Sequence, residues 1–474
     1  MAKTTRKDVL GDSPNMDGNF NVDGNVDGIE RRTQEIGRDL WSHLKRRSPS
    51  VFERRWWLDH ILEWAMHDES VKIQMFRFVD VLPMLRSSSS VTHHLQEYFD
   101  EVRNHLPYAV RLGLDVAQPD SLLGKALALN ARTNAGKMAA RFIAGTKPEE
   151  VLKTVTRLRK NGLAFTLDLL GEQVISETEA AAYQASYLSL LSNLAPRVEE
   201  WLEDAVLDRD ENNFVPRCNV SLKLSALTSH FNPMAPEQTS AKVRAKLREL
   251  FRLARKLDAF INIDMEHTAY KDLILQIFQE TCLEEEFRDW PHVGIVVQAY
   301  LIDAEADLLR LRDWVQSRGT PISVRLVKGA YWDYETITAE YRGWPCPVFR
   351  EKWQSDQNFE KLTTLLFENR QWLRPAIASH NLRSLSHAMA VAERLQVPQA
   401  AWEIQMLHGM AEETQQLLSE RGHRVRIYTP FGEMLPGMSY LVRRLLENTS
   451  NESFLRSAYE PGADIGLLLR KPNP

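Results

Sequence analysis

No stretch of this chain approaches the roughly 20 consecutive apolar residues that a membrane-spanning helix needs, and residues 1–15 contain no apolar signal core. Both absences point to a cytosolic protein, with peripheral membrane contact still open. Cysteine is scarce. Cys218, Cys282 and Cys346 are far apart, which argues against a disulfide framework or a zinc site and suits a reducing compartment. Neither a G-x-G-x-x-G nor a Walker A pattern occurs, so neither nucleotide-binding fold is signalled. Excess positive charge is missing too: a net charge of -5 leaves no general footprint for nucleic acid or anionic lipid.

What is present is enough for a sizeable core, since 43% of 474 residues are hydrophobic. Residues 1–28 are rich in Asn, Asp and Gly and poor in large apolar side chains, a composition that predicts disorder. Within them, Asn19 to Glu30 sets oxygen ligands, a glycine and a closing Glu at the spacing of a calcium-binding EF-hand loop. Asn19 replaces the first Asp, and Gly11, Pro14 and Gly18 spoil the entering helix, so the match reads as accidental. Residues 29–157 read as successive amphipathic helices, among them Ile29 to Lys45, Val51 to Met66 and Leu122 to Ile143. Arg54, Arg55, Trp56 and Trp57 fit a helix that packs its tryptophans and leaves its arginines in water better than a nucleic-acid contact. Residues 457–474 carry Gly and Pro and read as a tail or linker.

Between 158 and 456, short apolar runs alternate with helix-period segments. The predicted strands are Leu163–Leu169, Cys218–Leu224, Phe260–Met265, Gly294–Ala299, Ile322–Val327, Ala376–His380, Trp402–Leu407 and Arg424–Thr429. Eight such units predict an α/β fold, a closed (β/α)8 barrel of the TIM type preceded by a helical arm and helical domain. Active sites of such barrels lie at the C-terminal ends of the strands. Polar residues cluster there: Lys223 ends the second strand, Asp264 the third, Gln298 the fourth, Arg325 and Lys328 the fifth, His380 the sixth, Gln405 the seventh and Tyr428 the eighth. Singly, each has an ordinary explanation such as a snorkelling lysine, a helix cap or a core histidine. Seven strand ends out of eight strain that account.

The densest signal is Ser323 to Asp333, where alternating apolar residues run into Arg325, Lys328, Gly329, Ala330, Tyr331 and Trp332. Charge, backbone amides and stacking surface at one strand end suit a large, flat, anionic cofactor. Further on, Tyr440, Arg443, Arg444 and Glu447 share one face of a helix predicted over Gly437–Asn448. That face is either solvated or a clamp for a carboxylate, since paired guanidinium donors match that anion.

Asn219 to Leu227, Asn262-Ile263-Asp264, Val324 to Trp332, Ser379-His380-Asn381, Gln405 to Gly409 and Tyr440 to Asn448 occur in order, and together they closely resemble proline dehydrogenase. More narrowly, they resemble the proline dehydrogenase part of the bifunctional proline utilization A family, and residues 29–157 are similar to its arm and helical domain. The resemblance implies FAD at the barrel mouth, oxidation of L-proline to Δ1-pyrroline-5-carboxylate by hydride transfer to the flavin, and a membrane quinone as electron acceptor. It implies Arg325 beside the flavin ring, Lys328 to Trp332 around the rest of the cofactor, and Gln298, His380, Asn381 and Gln405 as further flavin contacts. Lys223, Arg443 and Arg444 would hold the substrate carboxylate, and Tyr428 and Tyr440 would wall in the ring. Asp264 would orient Lys223 or tune charge near the flavin, and Glu172 would pair with Arg443 as a gate or stand as an ordinary loop carboxylate. Another barrel flavoenzyme, of the methylenetetrahydrofolate reductase kind, and a non-catalytic barrel scaffold are the competing classes.

Overall fold

The structure is a computed structural model, and it describes residues 22–46, 68–106, 108–170, 174–211, 214–432 and 464–473. The expected helices at 51–66 and 437–448 lie outside those residues, as do Glu172, Tyr440, Arg443 and Arg444.

Eight parallel strands close on themselves in sequence order: β1 (Ala164–Leu169), β2 (Asn219–Leu222), β3 (Phe260–Ile263), β4 (Val293–Gln298), β5 (Ile322–Val327), β6 (Leu373–Ala378), β7 (Glu403–Leu407) and β8 (Val425–Phe431). The barrel shuts where β1 meets β8 over six residues, from Ala164 beside Arg426 to Leu169 beside Phe431. Each of the first seven strands is followed by helical structure, as the alternation predicts. The helices Glu177–Glu199, Pro236–Lys256, Thr268–Cys282, Ala304–Arg318, Lys352–Glu368, Leu382–Arg394 and Glu412–Glu420 cover the outside.

Strand periodicity divides the side chains by chemistry. Val220, Leu222, Ile261, Ile263, Val324, Leu326, Ile404 and Ile427 are fully buried in the main hydrophobic core. The alternate positions include Ser221, Asn262, Arg325, Gln405 and Arg426, all buried and polar. Bonds from Arg325 on β5 to Ser221 on β2 and Gln405 on β7 join non-adjacent strands, so they cross the lumen. This barrel has a polar interior inside an apolar sleeve.

Two expectations about the flanks need correction. The helix Val22–Arg46 begins inside the segment expected to be disordered, which also makes most of the EF-hand-like stretch helical rather than a loop. Extending a formed helix costs much less than nucleating one, so the amphipathic stretch beginning at Ile29 carries its weak neighbours with it. This helix does not belong to a separate helical body. Its Ile36, Leu40, Trp41 and Leu44 join the barrel's own core, as do Val151, Val155 and Leu158 of the helix Pro148–Lys160, which runs across the expected boundary at 158. The remaining helices between Glu69 and Phe142 form smaller cores, one around Phe78, Leu82, Leu85, Val91 and Ala128.

The expected tail is docked. Leu469 is fully buried, its carbonyl accepts from Arg383 Nη1 at 2.6 Å and from Gln34 Nε2 at 2.5 Å, and its side chain lies over Gly37, where a Cβ would sit 2.4 Å from it. Arg383 also forms paired bonds to Glu30 and to Glu360, tying together the arm, the barrel and residues 464–473.

Candidate active site

One guanidinium organises the lumen. Arg325 donates from Nε to Gln405 Oε1 (2.6 Å), from Nη1 to Asp264 Oδ1 (2.6 Å) and from Nη2 to Ser221 Oγ (2.8 Å). It is 4% exposed, and its Cζ lies 5.2 Å from the centroid of the Tyr428 ring. The Tyr428 hydroxyl donates to Asp264 Oδ2 at 2.8 Å. Burial, with Asp168 and Asp264 nearby, pushes that phenol well above its ordinary range and keeps it a donor.

A second ion pair stands beside the first. Lys223 Nζ lies 3.0 and 3.1 Å from the two oxygens of Asp168, which is almost wholly buried at the end of β1. Burial works against the charge on Lys223, but Asp168 at that distance prevails and holds the amine well above its usual value. The eight-strand argument found no candidate on the first strand. Asp168 is the missing one, and a lone acid in an otherwise apolar strand was the available signal.

Around this centre the structure leaves buried polar atoms open. Gln298 Oε1 at the end of β4, Tyr300 OH just beyond it and Glu266 Oε1 after β3 are buried without a hydrogen-bond partner. Burial raises Glu266 above its ordinary carboxylate value despite a 2.7 Å bond from Ser225 Oγ. Gly329 has φ +139°, a conformation that disfavours a side chain, and an added Cβ would fall 2.3 Å from the Tyr300 ring. Backbone thus approaches the buried ring closely where the sequence predicts a cofactor cradle. Ser221, Glu266 and Tyr300 were not anticipated.

The other expected residues divide. Lys328 is half-buried, turns to Asp356 and is lowered by burial. His380 Nε2 accepts from the Leu407 amide at 2.9 Å, and Asn381 caps the helix Leu382–Arg394 through Ser384 N at 3.0 Å. Ala330 is exposed, Tyr331 is the N-cap of the helix Trp332–Arg342, and the Trp332 indole donates to Phe349 O at 2.8 Å. Lys223, Asp264, Arg325, Gln405 and Tyr428 therefore gather at one centre, while Lys328 to Trp332 form its rim. Among the described residues no group of His, Cys, Asp and Glu is arranged to hold a metal ion, and no helix is long and apolar enough to cross a membrane.

A family model described as proline dehydrogenase matches residues 151–457. The chain belongs to the proline dehydrogenase family. A second model, the proline utilization A N-terminal domain, matches residues 30–142. Proline utilization A from Bdellovibrio bacteriovorus, solved after inactivation by N-propargylglycine, is 42% identical with a TM-score of 0.85 over 94% of this chain and 44% of that one. The bifunctional protein PutA of Escherichia coli is 28% identical over 71% of this chain and 25% of its own length. Proline dehydrogenase 1 of Bacillus subtilis is 28% identical over 67% of this chain and 89% of its own. The chain thus spans about a quarter of the E. coli relative and most of the Bacillus one. The barrel and the helical region before it were both expected from the sequence, and the family is the one the motifs resemble.

Proposed function

We propose that the chain oxidises L-proline to Δ1-pyrroline-5-carboxylate with FAD held at the barrel mouth and a quinone as the onward electron acceptor. The observation that carries this reading is the fixed guanidinium of Arg325 on β5 together with buried, unpartnered polar atoms at Gln298 and Tyr300, at and just beyond the end of the neighbouring strand β4. The residues present fit such a cofactor: Gln298 and Tyr300 offer open polar valences, and Gly329 lets backbone close over them. Arg325, Lys328, Gly329, Ala330, Tyr331, Trp332, Gln298, His380, Asn381, Gln405 and Asp264 would hold it. When bound, FAD supplies the hydride acceptor for the substrate's ring carbon.

The protein's own groups do the rest. Arg325 cannot swing, so its charge stands ready where negative charge develops, without reorganisation during the reaction. Lys223, cationic and anchored on Asp168, takes one oxygen of the substrate carboxylate, with Arg443 and Arg444 as its companions and Glu172 pairing with Arg443 as the gate. Tyr428, fixed on Asp264, walls the ring, and Tyr440 would be its second wall.

The purified protein should be yellow and, without oxygen, should lose its flavin absorbance on addition of L-proline. A protein that takes up no FAD, or a flavin that proline leaves oxidised, would overturn the reading.

A further inference from the structure

Beneath Arg325 a second charged pair lies at the floor of the barrel. Glu403, the first residue of β7, accepts from Arg426 Nε at 2.9 and 3.1 Å and from Arg426 Nη2 at 3.0 Å. It also accepts from Gln405 Nε2 at 2.6 Å. Arg426 is 2% exposed; burial works to raise Glu403, but the Arg426 guanidinium prevails and leaves it below the usual carboxylate range, hence ionised.

An ionised carboxylate only accepts hydrogen bonds. Gln405 must therefore turn its amino group to Glu403 and its carbonyl oxygen to Arg325, where Oε1 accepts from Nε at 2.6 Å. Reversal of the amide would set donor against donor at Arg325. We infer that Glu403 is a positioning residue: by fixing the orientation of the Gln405 amide it fixes the Arg325 guanidinium, and through it the redox poise of the flavin. The chain of bonds runs Arg426, Glu403, Gln405, Arg325, Asp264, Tyr428, from floor to mouth. Glu403 touches neither substrate nor cofactor in this scheme.

The inference rests on the flavin reading above, and its test separates the two. The readout is the flavin midpoint potential of purified, FAD-loaded protein, with turnover per bound flavin as a companion. Glu403→Gln is nearly isosteric and lets the amide of Gln405 reverse. Loss of a buried negative charge alone makes a flavin easier to reduce, so it moves the potential upward. Loss of the Nε bond lets Arg325 turn about its two remaining bonds, to Asp264 and Ser221, which draws positive charge away and moves the potential downward. We expect a downward shift and about a tenfold loss of turnover per bound flavin, with the proline KM changed less than twofold. Glu403→Asp, still acceptor-only but shorter, should shift the potential downward by less and serves if the first variant does not hold FAD. An unchanged or upward potential in the variant that is measured overturns the inference, whatever happens to melting temperature. If wild-type protein binds no FAD, it is the flavin reading that has failed.

Discussion

The two ends of the barrel lumen are built from the same kinds of side chain and leave them in different states. At the floor, Arg426 is satisfied by Glu403 and by the Phe165 carbonyl, and Arg424 by the carbonyls of Val206, Arg209 and Ala400. Its charges are spent within the protein. At the mouth, Lys223 contacts a single carboxylate, and acceptors on Glu266, Gln298 and Tyr300 have no partner. Buried polar groups are normally bonded, and among the described residues the floor leaves only the scattered Asn219 Oδ1 and Trp402 Nε1 open, whereas Glu266, Gln298 and Tyr300 are gathered about one strand end and point to a ligand. The difference teaches that burial and charge do not by themselves mark a site; a cluster of unspent hydrogen-bonding capacity does.

If that division holds, floor substitutions should damage stability, reaching the chemistry only where the Glu403 to Gln405 bond carries them to Arg325, and mouth substitutions should damage chemistry directly. Arg426→Met leaves Glu403 buried without its counter-ion, a loss of about 3–5 kcal/mol. Chemical denaturation should find it; a variant as stable as the parent breaks the comparison at its strongest point. Lys223→Met should lower proline turnover per bound flavin by about 10²–10³, or roughly 3–4 kcal/mol, as for loss of one preorganised electrostatic donor. FAD content should survive, and its loss would move Lys223 from substrate to cofactor holding.

A third test uses pH. His423, packed on Trp402 at the floor with centroids 5.5 Å apart, is lowered by burial, and then by Arg421, to about 4. Its unfolded value is near 6.5, so its contribution is complete above pH 6.5 and is lost as pH falls toward 4. The depression is worth about 3 kcal/mol. His423→Phe should flatten the decline of stability between pH 7 and pH 4 and leave turnover at pH 7 alone; an unchanged slope removes His423 as its cause. The smallest effect is expected at the rim. Gly329→Ala forces a side chain toward the Tyr300 ring from a backbone conformation costing about 1–3 kcal/mol, so FAD retention should weaken while the global melt barely moves. A large drop in melting temperature with normal FAD content would make Gly329 architectural.

The barrel was legible because period-two apolar runs and their helical spacers are written locally. So were the strand-end residues, since Lys223, Asp264, Arg325, Gln405 and Tyr428 fall on alternation that only one face can accept. Which acid meets which base was not legible. Asp168 and Lys223 are 55 residues apart, and Asp264 and Tyr428 are 164 apart, so only closure of the barrel brings them together. Glu403 escaped notice because it begins its strand, where nothing local tells a lumen acid from a surface one. The docking of Leu469 was hidden for another reason. The apolar triplet Leu467-Leu468-Leu469 has no helical periodicity of its own, and its pocket is assembled from Gly37 and Arg383.

The clasp of Glu30 with Arg383 also sets a timetable for synthesis. Its partners are 353 residues apart, so at the usual ~5–20 residues per second about 20–70 s separate their appearance on the ribosome. Over that interval Ile36, Leu40, Trp41 and Leu44 have no barrel to cover them, because the helix they pack on, Leu382–Arg394, has not been made. The first helix of the fold is thus among the last to find its place, and its apolar stripe is the surface a nascent-chain chaperone would have most time to hold.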